Sequence, residues 1–143
     1  MLEKVKDMPD KSIDMILCDL PYGWNGTTAC KWDVIILFKP LWKQYKRVIK
    51  DNRAIVLTGC EPFSSYLRLS NIKCYKYDWK WEKSQGVNFA QCNHMPMSNY
   101  EDIIVFGRFG LSKNAKIQPI YHPQGNIEQN KKKKAKTLED IFS

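Results

Sequence analysis

Ile13-Asp14-Met15-Ile16-Leu17-Cys18-Asp19-Leu20-Pro21-Tyr22-Gly23 is the stretch on which the fold turns. It opens as an apolar run of strand length with β-branched content and closes in proline and glycine. That pattern predicts a buried strand, Ile13 to Cys18, ending in a tight turn. An acid, a proline and an aromatic residue stand together where the strand stops. In open α/β sheets, ligands bind in the crevice outside the carboxyl ends of the strands. Asp19, Leu20, Pro21 and Tyr22 are therefore the first candidate site residues.

Further along, Phe38, Leu41, Trp42, Tyr45, Val48 and Ile49 recur at helical spacing with lysines and Arg47 between them. Pro40 suits the first turn of that helix. Ala54 to Thr58 reads as a second buried strand closed by Gly59, and Glu61-Pro62 opens a short helix carrying Phe63, Tyr66, Leu67 and Leu69. Strand, helix, strand and helix in alternation predict an α/β fold with a parallel sheet. Tyr75, Tyr77, Trp79 and Trp81 then alternate with Lys76, Asp78, Lys80 and Glu82. A period of two marks a strand with one wetter face, while the continuous run Ile103-Ile104-Val105-Phe106 suits an interior strand.

The 143 residues suit one domain with a real core, and no apolar run approaches the ~20 residues of a membrane span. A formal charge of +8 favours a polyanionic partner. Cys18, Cys30, Cys60, Cys74 and Cys92 are scattered without a C-x-x-C pair, which fits reduced thiols in a cytoplasmic protein better than a disulfide set or a zinc site. Gly107-Arg108-Phe109-Gly110 lacks the spacing of a phosphate loop.

Asp19-Leu20-Pro21-Tyr22 suits methylation of an exocyclic amine on a base. Such an amine is a poor nucleophile because its lone pair is delocalised into the ring. Two acceptors aimed at its N–H groups, here the Asp19 carboxylate and the Leu20 carbonyl, localise the lone pair and stabilise the developing positive charge. Pro21 restricts how that carbonyl is presented, and Tyr22 offers a flat face for an extruded base. The tetrapeptide resembles the D-P-P-Y signature of amino-DNA methyltransferases, adenine-N6 or cytosine-N4 enzymes that use S-adenosylmethionine. The variant with leucine second is similar to phage and bacterial adenine-specific members, as in restriction–modification. "LEKVKDMPDKSIDMILCDLPYG", "IVLTGCEPFSSYL", "WKWEKSQG" and "YEDIIVFGR" follow the order and spacing of the family's motifs over most of residues 1–110.

The resemblance implies a partial Rossmann-like methyltransferase sheet of mixed type. In that sheet the last strand inserts antiparallel and leaves its predecessor at the edge. It implies Asp19, Leu20, Pro21 and Tyr22 as catalytic residues and double-stranded DNA as partner. It also places the segment from Lys83 to Tyr100 beside the target base, with Phe89, Asn93, His94 and Lys83 as candidate substrate contacts. The loop from Trp24 to Asp33 is a candidate lid or DNA-facing loop. The main departure is that no D-x-F-x-G-x-G-type segment for the methionine part of the cofactor is present, so only Asp19 is left as a candidate cofactor contact. Residues 1–112 are thus expected to be the catalytic and target-base half of a permuted enzyme. Residues 113–143 would be a basic, flexible segment leading to a missing cofactor-binding half, with the lysine run 131–136 either solvated or on phosphate. A signature strand without its neighbour would leave an apolar edge open to self-association. The alternatives are a nucleic-acid-binding remnant that cannot hold the methyl donor, and methylation of cytosine N4, of RNA or of a protein glutamine.

Overall fold

A computed structural model of the chain describes residues 2–23 and 33–125. Its elements run α1 (Leu2–Lys6), β1 (Ile16–Asp19), α2 (Phe38–Val48), β2 (Ala54–Gly59), α3 (Phe63–Ser70), β3 (Tyr75–Val87) and β4 (Ser98–Gly107), with a 3-10 turn at Phe89–Gln91. They build a four-stranded sheet of order β1-β2-β4-β3. β1 and β2 are parallel, and β4 lies antiparallel between β2 and β3. The interior and edge positions expected for the last two strands are the ones observed.

α2 forms where its apolar stripe predicts it. Leu41, Trp42, Tyr45 and Val48 are all buried, and Pro40 sits in the first turn, where no N–H is needed. Leu41, Trp42 and Tyr45 make one core with Leu20, Ile49, Ile55, Leu57, Phe63, Leu67, Ile104 and Phe106, between the helices and one face of the sheet. Each such side chain contributes about 1.5–3 kcal/mol on burial. α3 is only eight residues long and buries Phe63, Ser64 and Leu67, so Tyr66 and Leu69 of its predicted stripe face solvent. Arg47 ties α1 to α2 by donating to the carbonyls of Val5 and Met8, each at 2.7 Å, and to Asp10 at 2.6 Å.

The signature strand is shorter than the apolar run that announces it. Ile13 makes only an isolated parallel bridge with Ile49, and Asp14 turns outward to pair with Lys50 and Arg53, both at 2.9 Å. A charged pair facing solvent interrupts the ladder, so regular pairing begins at Ile16 and extends one residue further, to Asp19. Among the described residues β1 has no second neighbour, and Met15 and Leu17 along it are exposed.

The largest departure from the sequence pattern is in β3. Tyr75 pairs with Phe106, but Tyr77 pairs with Val105, so Lys76 is an extra residue that switches the strand from one face to the other. Tyr75 therefore packs on Phe106 in the core, with ring centroids 6.1 Å apart, while Tyr77 and Trp79 turn to the opposite face. There they meet the segment after β4, in which Phe109 is buried and the Gly110 N–H donates to the Ile117 carbonyl across a turn. A cavity of about 420 Å³ lies between Tyr77, Trp79, Phe109 and Tyr121. β3 also runs past Glu82 through Lys83 to Val87, so part of the expected loop is strand. Residues 24–32 of the candidate lid and the lysine run 131–136 lie outside the described residues.

Candidate active site

Parallel pairing brings the ends of β1 and β2 together, with Asp19 opposite Thr58. The Thr58 hydroxyl donates to Asp19 Oδ1, and the Tyr22 hydroxyl donates to the same oxygen at 2.7 Å. The two hydroxyl oxygens are 3.0 Å apart. Asp19 is exposed, and among the described residues its side-chain hydrogen bonds all arrive on Oδ1, leaving Oδ2 open. Next to it, the Leu20 side chain is anchored in the core at 4% exposure, which fixes the main chain that carries the Leu20 carbonyl.

Tyr22 is held on two sides. Its ring lies on Phe63, with centroids 5.1 Å apart and planes tilted by 31°. Burial pushes its phenol well above the usual tyrosine range. The Thr58 hydrogen bond opposes that shift, and the Asp19 and Glu101 carboxylates reinforce it. The phenol thus stays neutral and serves as a donor to Asp19. Gly23 closes the turn at φ +69°, and its N–H donates to Asp33 Oδ1 at 3.0 Å. A Cβ at Gly23 would lie 2.4 Å from Ile35 Cγ1, so the close approach as well as the backbone calls for glycine here.

The structure brings Asp19, Leu20 and Tyr22 together with a residue that sequence reasoning missed, Thr58. Its only signal in the sequence is its position as the last residue before Gly59 in a strand parallel to β1. Lys83, on the edge strand, pairs with Glu101 and lies 5.8 Å above the Trp81 ring. Glu101 was also missed, and its charge reaches Tyr22. Phe89, Asn93 and His94 are exposed on the β3–β4 hairpin, and no hydrogen bond joins them to Asp19 or Tyr22 among the described residues. Behind the site, α3 is clamped to the sheet by Arg68, which bonds Asp102 at 2.8 Å and Glu61 at 2.9 Å, with Lys80 also on Asp102. That clamp fixes Phe63, the residue under Tyr22.

No family model matches the sequence, and no curated protein is similar enough to count as a match. Solved structures do share the architecture. M1.HpyAVI in its complex with SAM is 18% identical with a TM-score of 0.51, over 82% of this chain and 60% of that one. The PvuII DNA methyltransferase, cytosine-N4-specific, is 13% identical with a TM-score of 0.55, over 75% of this chain and 46% of that one. A candidate DNA modification methylase from Thermus thermophilus is 11% identical with a TM-score of 0.52, over 87% of this chain and 53% of that one. The chain thus spans about half the length of these structures. In fold, its described residues are a partial Rossmann-like sheet of the methyltransferase kind, with one antiparallel strand inserted before the edge.

Proposed function

We propose that this chain carries the amine-accepting half of an amino-DNA methyltransferase, acting on adenine N6 in double-stranded DNA. The observation that carries the reading is the Asp19 carboxylate at the strand end, with Oδ1 held by Thr58 and Tyr22 and Oδ2 without a partner among the described residues. A base extruded from the duplex presents two N–H groups on its exocyclic nitrogen. Asp19 Oδ2 accepts one and the Leu20 carbonyl the other, which localises the lone pair and stabilises positive charge as it develops on nitrogen. Because Oδ1 is already tied down, the carboxylate needs no reorientation when the base arrives. The charge of +8 supplies the sequence-independent attraction to phosphate. Cytosine offers the same amine chemistry at N4, the specificity of the PvuII neighbour, and stands second.

S-adenosylmethionine is the methyl donor this reading implies, and the described residues do not complete a site for it. Asp19 borders such a site, but no glycine-rich turn cradles an adenosyl group among the described residues. Gly59, at the strand-to-helix turn, is crowded, since a Cβ there would lie 2.9 Å from Ser64 Oγ. In this reading the described residues act chiefly on the base, with Asp19 the one candidate contact to the donor among them.

The test is recognition of an amine. Duplexes carrying a single bulged adenine, cytosine or thymine are titrated with the chain at fixed low salt. Thymine has no exocyclic amine, so adenine and cytosine bulges should bind about 10-fold or more tighter than thymine, as expected for a charge-assisted hydrogen bond. Asp19→Ala should erase that difference while leaving thymine-bulge affinity unchanged. Cytosine above adenine would reassign the base to N4. Equal affinity for all three bulges would refute the reading.

A further inference from the structure

We propose that Phe89, at the tip of the β3–β4 hairpin, is a wedge that fills the gap left in a duplex when a base is extruded toward Asp19. The inference rests on the reading above and adds a residue to it. The last pair of β2 with β4 is Gly59 with Asp102, one position beyond Thr58. β4 extends four residues further, from Glu101 back to Ser98, and β3 follows it out to Val87. At about 3.4 Å per residue the hairpin therefore overhangs the Asp19 end of the sheet by roughly 14 Å before its tip begins.

The tip has the properties of an insertion element. Phe89 is 78% exposed, the most exposed of the large apolar side chains described, and Val87, Met95 and Met97 around it are also exposed. A large apolar side chain held that far into solvent has no packing role to explain it. The turn beneath is ordered. Asn88 takes a left-handed φ of 70°, and Gln91 and Cys92 donate back to the carbonyls of Asn88 and Phe89 at 2.9 and 3.1 Å. Residues 83–100 contain no aspartate or glutamate, so the tip itself carries no carboxylate, and at its base Glu101 is paired with Lys83 while Glu82 is exposed. The position of the tip beyond the Asp19 end of the sheet and the charge of +8 on the chain favour a nucleic acid as the occupant. Apolar side chains that enter between base steps recover part of the stacking lost on extrusion, and an aromatic ring recovers most. Asn88 and Gln91 flank the ring in sequence with amide groups suited to the edge of the orphaned partner base.

The discriminating probe is a gap. A bulged adenine leaves the helix without leaving a hole, whereas a duplex with an abasic site presents one. Phe89→Ala should weaken binding to the abasic duplex between about 5- and 100-fold and leave bulged-adenine affinity within about twofold. Phe89→Trp should restore abasic binding, and 2-aminopurine beside the abasic site should be quenched by the wild type but not by Phe89→Ala. Because Phe89 stands outside the core, folding should be unaffected, which circular dichroism checks. Equal affinity of Phe89→Ala and wild type for the abasic duplex overturns the wedge, as does an equal loss on both duplexes or an effect confined to self-association. In each case the preference for adenine over thymine bulges reports separately on the proposed function.

Discussion

Tyr22→Phe and Thr58→Val test whether the hydroxyls around Asp19 act as one unit. Both substitutions preserve shape. The first keeps an aromatic ring on Phe63, 5.1 Å away in the wild type, and the second keeps a β-branched side chain in β2. Each removes one of the two donors that share Asp19 Oδ1 as acceptor. A hydrogen bond to a charged group contributes about 1.5–3 kcal/mol, but Asp19 is exposed and water replaces part of each loss. Each single variant should therefore lose about 1 kcal/mol in urea unfolding followed by tryptophan fluorescence, with an unchanged slope. Two donors on one oxygen weaken each other, so either bond tightens when the other is removed. The double variant should thus exceed the sum of the singles by about 0.5–1 kcal/mol. Both singles should also reduce the preference for adenine over thymine bulges, because Oδ2 is no longer aimed. Additivity within about 0.3 kcal/mol, with undiminished preference, would show that Asp19 is not positioned by these groups.

Alkaline stability should report the same burial. Tyr22 and Tyr45 both titrate well above the usual tyrosine range in the folded chain, chiefly through burial. Their contribution is complete below an unfolded tyrosine pKa of ~10 and is lost as pH rises through the folded value, so Tyr22→Phe should flatten the fall in stability above about pH 10. Asp102→Asn should cost about 2 kcal/mol in urea, because Arg68 keeps Glu61 and Asp78 as partners while its bond to a buried carboxylate weakens. Burial alone would raise the Asp102 pKa, but hydrogen bonds from Lys80 and Arg68 hold it below the usual carboxylate value. Its stabilisation is therefore present above about pH 4 and lost as pH falls through the folded value, and the variant should lose that acid-side decline. Along the edge of β1 that has no neighbour among the described residues, Leu17 is 67% exposed. Sedimentation at micromolar concentration should show concentration-dependent association that Leu17→Lys suppresses, and a monomer in both cases would refute pairing through this edge.

The elements most readable in the sequence were those set by local periodicity. The 3.6-residue stripe of α2 and the apolar run of β4 stand where their patterns put them, because burial on one face is all those patterns encode. The bulge at Lys76 was invisible for the same reason. Strict alternation predicts one face for Tyr75, Tyr77, Trp79 and Trp81, and one extra residue in the pairing splits that set between core and cavity without changing a letter. Asp14 likewise passed for part of the strand, since only its ion pairs with Lys50 and Arg53 show that the ladder starts after it. The four contiguous residues Asp19 to Tyr22 were found because the turn that gathers them is local. Thr58 and Glu101 lie far along the chain, and their approach depends on strand register, which no local pattern carries.

That dependence has a consequence for how the site assembles. Asp19 and Thr58 meet only when β1 pairs in parallel with β2 in the observed register, and a slip of one residue would send Asp19 to the opposite face. β1 is the shortest of the four strands, four residues at the sheet edge with a single neighbour among the described residues. The carboxylate thus sits on the element with the fewest ladder bonds, while Tyr22 and Thr58 are anchored by Phe63 and by β2 in the core. The Tyr22 and Thr58 hydroxyls do more than align Oδ1, since they pin the free end of β1 to the stable part of the sheet. Local opening of β1 must break both bonds and disperse the site, so any ligand bound to Asp19 must in turn tighten the β1–β2 pairing. Amide exchange at Ile16 to Asp19 should therefore be the fastest among the four strands in the free chain and should slow selectively when a bulged adenine is bound. Slowing spread evenly over β2 and β4 instead would mean that the ligand stabilises the whole sheet rather than the junction at Asp19.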